Sequence, residues 1–189
     1  MPDILTHIAF ADEILGKINL KILSSEISKR KELYRLGAQG PDVFYYYKFL
    51  SGQNNINRIG NMLHEEKTGI FLKRSFDYIV SKQFNEEDYL SLVSYVTGFL
   101  CHYVLDKNVH PFVYRFSGFC FDKGTEKGWY CHNHKIMENM IDVYVWHDKK
   151  NTHAYKQPVY SLISMDRELP SIIKTYLQDT IQEVYDIRL

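Results

Sequence analysis

EEDYLSLVSYVTGFLCHYVLDKNVHP, residues 86–111, is the stretch on which the fold turns. Asn85 followed three residues later by Asp88 has the pattern of an N-capping arrangement, and after Tyr89 the segment is nearly all apolar. A helix from Glu86 to about Val109, apolar on most of its circumference, belongs at the centre of a bundle. Pro111 disfavours helical geometry at the preceding residue, so the spacing predicts that this helix ends at His110.

Three ligand-type residues recur every four positions along that helix: His102, Asp106 and His110. Helical periodicity puts all three on one slowly drifting face. A buried carboxylate or neutral imidazole is costly without a partner. Two arrangements supply one: a divalent cation held by the stripe, or hydrogen bonds between His102 and Asp106 with His110 at the helix end.

Two further segments bear on that choice. His134 and Glu138 repeat the four-residue spacing on a helix expected from about His132 to Trp146, and His64 lies beside the apolar stripe of a helix expected from Ile56 to Val80. Together these nitrogen and oxygen donors outnumber the ligands of one tetrahedral zinc, and no CxxC pair supplies a thiolate site. Two or more divalent ions are expected, with Asp106 bridging cations about 4 Å apart. Asp142, one turn beyond Glu138, is placed to support ligands. His132, His147 and His153 have no ligand partner at helical spacing and are expected to face solvent or make hydrogen bonds.

The rest of the chain reads as helices with short connections. A first helix is expected over residues 6–16, N-capped by Thr6, stopped by Gly16 and carrying His7; a second runs from Ser28 to Leu36 and is closed by Gly37. In the loop GAQGPDVFYYY, Pro41 opens a short helix with Asp42 at its start. The helix over 56–80 is expected to bend near Gly69, residues 115–130 form an irregular excursion, and a last helix covers about 168–187. Strand-like alternation is weak throughout, so the prediction is one all-α, multi-helix domain over residues 1–189.

Composition narrows the partners. Lys plus Arg and Asp plus Glu number 23 each, so no net field draws the chain to nucleic acid, and no stable nucleic-acid partner is expected. The start lacks the pattern of a signal peptide, and no run of eighteen apolar residues suggests a transmembrane segment; a cytoplasmic protein with Cys101, Cys120 and Cys131 reduced is the expectation. The 15 Tyr, 11 Phe and 2 Trp serve chiefly as core.

THIAFADEIL, LGAQGPDVFYYY, GNMLHEEKTGIFL, GFLCHYVLDKNVHP and HKIME, in that order, resemble the bacterial zinc-dependent phospholipase C family from residue 3 to about 145. The resemblance implies that Asp42, His64, His102 and Asp106 hold one zinc ion and that His110, His134 and Glu138 hold a second. His7 falls where secreted members place a third ion, together with an N-terminal tryptophan that this chain lacks. Composition alone would leave Asp42 an ordinary acid at a helix start; the resemblance makes it a ligand or the general base. It implies a zinc-dependent phosphoric diester hydrolase acting on a phosphodiester small molecule or a phospholipid, although such donors also accept iron, manganese or nickel. Two alternatives stand beside it. One is a single-strand nuclease or nucleotide phosphoesterase of the same fold, with Phe44, Tyr45, Tyr46 and Tyr47 as stacking walls. The other is a metal-binding protein of this fold with little turnover.

Overall fold

The computed structural model describes residues 4–46, 55–118, 127–163, 165 and 168–189. The described residues form α-helices and two short 3-10 turns, with no strand among them. In chain order the helices are α1 (Ile4–Lys17), α2 (Lys21–Lys29), α3 (Lys31–Gly37), α4 (Val43–Tyr46), α5 (Asn55–Glu65), α6 (Thr68–Ser81), α7 (Glu86–Ser117), α8 (Lys127–Lys150), α9 (Val159–Ile163) and α10 (Ser171–Tyr185). The 3-10 turns are Gly40–Asp42 and Ala154–Lys156.

The central helix is α7. Its N-terminus is capped as its sequence predicts, the Asn85 side chain accepting from the Asp88 N–H at 2.9 Å. Its first half fills the main core: Leu92, Tyr95, Val96 and Phe99 pack with Leu63 of α5, Phe71 of α6 and Ile173, Tyr176 and Ile181 of α10. A second apolar cluster joins Ala11 and Leu15 of α1, Ile27 of α2, Tyr34 of α3 and Cys101 of α7. A third seats α1 on α8 through Leu5, Ile8, Ala9 and Trp146, with Ala154 from the following turn.

One close contact places the residues that follow α3. A Cβ at Gly37 would lie 2.2 Å from the Tyr95 carbonyl oxygen, and a Cβ at Gly98 would lie 2.1 Å from that of Tyr34. Two glycines thus let α3 and α7 meet backbone to backbone. The chain leaving α3 arrives directly against the polar stripe of α7.

Three boundaries differ from the sequence expectation. Helix α7 does not stop at His110 but runs through Pro111 to Ser117, where Gly118 at φ 79° ends it by donating its N–H to Tyr114. Proline removes one helical donor; Val113 and Ser117, both buried, hold the following turn in place despite that loss. The expected helix over 56–80 is divided at Lys67, which is left-handed at φ 50°, rather than bent at Gly69. The Thr68 hydroxyl donates to the carbonyls of Leu63 and His64, satisfying the end of α5. The helix expected from Ser28 breaks at Arg30, whose guanidinium pairs with Glu26 and Glu87 and separates α2 from α3.

Candidate metal centre

The stripe on α7 is buried: His102 is 2% exposed and Asp106 6%. Around it stand His7 of α1, Asp42 of the Gly40–Asp42 turn, and His64 of α5. Asp106 Oδ1 lies 3.4 Å from His7 Nε2, while its Oδ2 lies 3.2 Å from His102 Nε2 and 3.7 Å from His64 Nε2. Asp42 Oδ1 is 3.2 Å from His64 Nε2. The two oxygens of Asp106 therefore face different imidazoles, as a bridging carboxylate does.

Hydrogen bonding on the far side of two rings fixes what they present inward. His64 Nδ1 is 2.8 Å from the Gly60 carbonyl and His102 Nδ1 is 3.2 Å from that of Ala38. A carbonyl only accepts, so each Nδ1 donates there and each Nε2 is turned toward the carboxylates. Those two Nε2 atoms face each other at 3.4 Å. Asp42 Oδ1, both oxygens of Asp106 and both ring nitrogens of His7 are buried without a hydrogen-bond partner. Buried polar groups left in that state are expensive, and a cation at their common focus relieves the cost.

Three groups of three donors come within 4.8 Å of one another: His7, His102 and Asp106; Asp42, His64 and His102; and His110, His134 and Glu138. All eight residues expected from the sequence are thus gathered, into three groups rather than two. His102 belongs to both of the first two groups, Asp106 Oδ2 is turned toward His64 of the second, and His7 belongs to the first. The third group is built across α7 and α8, with His134 Nε2 2.8 Å from Glu138 Oε1. The donors are imidazoles and carboxylates throughout, which suits zinc and neighbouring first-row ions.

Electrostatics agree with the geometry. Burial pushes the Asp106 carboxyl up, but the imidazoles of His102 and His7 outweigh it and hold the group far below the usual carboxylate range. Desolvation draws both His110 and His134 down to about 4, so both imidazoles are neutral near pH 7.

These side chains border a cavity of about 500 Å³ lined also by Tyr45, Glu65, Tyr103, Lys107 and Tyr114. His64, His102, Asp106, His110, His134 and Glu138 reach its surface, while His7 and Asp42 are buried around it. Of the aromatic residues proposed as stacking walls, Tyr45 lines the cavity and Phe44 packs on the main core. The Tyr46 side chain and Tyr47 lie outside the described residues. Tyr103, Lys107 and Tyr114 went unnoticed in the sequence. Tyr114 continues the four-residue stripe of His102, Asp106 and His110, a signal hidden by ending the helix at Pro111. His132, His147 and His153 are exposed and belong to none of the three groups.

The cysteines divide. Cys101 is a buried thiol within reach of the Tyr34 hydroxyl, but Cys131 is disulfide-bonded, against the expectation of reduced thiols. Lasting disulfides are characteristic of oxidising compartments, which removes the thiol argument for a cytoplasmic protein. Among the described residues no helix is long and apolar enough to cross a membrane.

An all-helical bundle with clustered imidazole and carboxylate donors beside a cavity defines the class of this protein. The family model described as zinc dependent phospholipase C matches residues 6–186, and the chain belongs to that family. No curated protein and no solved structure matches it.

Proposed function

We propose that this protein is a metal-dependent phosphodiester hydrolase of phospholipase C type, with zinc held by His7, Asp42, His64, His102, Asp106, His110, His134 and Glu138. The observation that carries the reading is the convergence of three donor groups, with unpaired buried atoms on Asp106, Asp42 and His7, around one cavity. Divalent ions in such a site lower the pKa of bound water and polarise the oxygens of a phosphodiester. The residues do the remainder. Asp106 stays ionised in the first group with its Oδ2 turned to His64 of the second, His110 and His134 stay neutral, and Asp42 serves as ligand and as acceptor of the proton from attacking water.

Asp42→Asn, with metal counted on the same sample, tests the assignment on a chromogenic phosphodiester. Turnover falls by about 100-fold or more with bound metal retained; unchanged turnover removes Asp42 from the chemistry. His102→Ala, by contrast, loses metal from two groups.

A second reading, hydrolysis of a nucleotide or single-stranded nucleic acid, is favoured by Tyr45 and Tyr114 on the cavity wall, where a base could stack. Parallel assays on a short-chain phospholipid and a single-stranded oligonucleotide separate the two. Full metal loading without hydrolysis of either substrate or of the chromogenic ester would leave a metal-binding protein.

A further inference from the structure

His7 is the one member of the three donor groups that comes from α1, and α1 packs on α8 mainly through the small cluster of Leu5, Ile8, Ala9 and Trp146. Apolar contacts of this kind resist separation of two helices but only weakly resist sliding. For His7, sliding matters. A slip of one residue moves a helical side chain about 1.5 Å along the axis and about 100° around it, enough to remove an imidazole from a shared focus.

Further along α1, Lys149 and Lys150 of α8 pair with Glu13 and Asp12 at 3.0 and 3.2 Å; beside His7, the α8 side chain that opposes the slip is Asp142. Asp142 is 6% exposed, and its carboxylate accepts three hydrogen bonds from the first turn of α1: Leu5 N–H at 2.9 Å, Thr6 N–H at 2.9 Å and the Thr6 hydroxyl at 2.5 Å. The first N–H groups of a helix have no partner within the helix, and a carboxylate there is favoured by both hydrogen bonding and the helix dipole. Thr6 lies inside the first turn rather than at the N-cap, so the cap comes from a residue 136 positions away. The next residue after this lock is His7, whose ring stacks on His102 with centroids 4.2 Å apart and planes 15° from parallel.

We infer that Asp142 is a positioning residue: by capping α1 from α8 it sets the axial register of α1 and thereby holds His7 in its donor group with His102 and Asp106. It lies one turn after Glu138, so the same helix that supplies the His134 and Glu138 donors also fixes the His7 group. The inference rests on the metal-binding reading above.

The test is zinc titrated into the metal-free full-length chain, followed by native mass spectrometry and competition with a chromogenic chelator, with circular dichroism as the check on folding. Asp142→Ala keeps its helical signal and binds one zinc equivalent about tenfold or more weakly, with the remaining equivalents unchanged. Asp142→Asn, whose amide nitrogen cannot accept, gives an intermediate loss. In a His7→Ala background, Asp142→Ala adds no further weakening, because the two substitutions act on one group. Zinc uptake by Asp142→Ala or Asp142→Asn equal to that of the wild type in number and affinity overturns the inference, as does an additive loss in the double variant. Should Asp142→Ala fail to fold, Asp142→Asn and Thr6→Ala carry the same comparison. Failure of the wild type itself to take up zinc refutes the metal-binding reading, a different result.

Discussion

Gly40 lies against the face of His102 so closely that a Cβ there would sit 2.4 Å from the ring's Cγ. The same glycine has φ 53°, a conformation that costs other residues strain. Gly40→Ala therefore presses on His102 while leaving every candidate ligand chemically intact. Zinc affinity is expected to drop by about 10- to 100-fold, read by chelator competition, with the helical signal kept. Wild-type affinity in that variant would show that His102 can move without cost to the centre.

Metal removal has a thermodynamic consequence. Buried atoms of Asp106, Asp42 and His7 lack hydrogen-bond partners, a cost that a bound cation would offset. A ligand that binds only the folded state stabilises it by about 4 kcal/mol at a thousandfold excess over its dissociation constant. Differential scanning fluorimetry with and without a strong chelator should show a lower, metal-reversible melting temperature in the stripped protein. Coincident melts would argue against a resident ion.

The metal-free protein should also be acid-sensitive in a defined window. His110 and His134 titrate at about 4 in the folded chain, against an ordinary 6.5, chiefly because burial penalises their charged forms. Between those values the unfolded chain binds more protons than the folded one, so stability rises with pH across the window and is lost as pH falls from about 6.5 to about 4. Asp106 is shifted in the same direction, so its contribution also disappears as pH falls, but below the ordinary carboxylate pKa of 3.8 and outside that window. Urea midpoints of stripped protein at about pH 7 and about pH 5 measure the slope. His110→Gln with His134→Gln should flatten it.

Much of the site was legible in the chain because helical spacing is local. His102, Asp106 and His110, and again His134 and Glu138, advertise a shared face through four-residue steps, and the structure brings both faces to one place. Asp42 and His7 carried no such signature. The first reached the list through family resemblance, and its place 3.2 Å from His64 depends on a tertiary contact that no periodicity encodes. The misplaced boundaries have the same origin. Pro111 is helical because Val113 and Ser117 are buried beyond it, and the break at Lys67 depends on how Thr68 satisfies the end of α5. Asp142 was recognised as a support, but not the helix it supports.

The meeting of Gly37 with Gly98 welds one side of the centre together. With no side chain between α3 and α7, the turn bearing Asp42 is anchored at its entry to the helix that bears His102 and Asp106, and these donors travel as one block. His7, His134 and Glu138 ride on α1 and α8, which meet each other through a smaller apolar cluster. Two of the three groups, the one with His7 and the one with His134 and Glu138, thus combine donors of α7 with donors of α1 or α8, so a substitution at the α1–α8 contact reaches both and leaves the Asp42, His64 and His102 group alone.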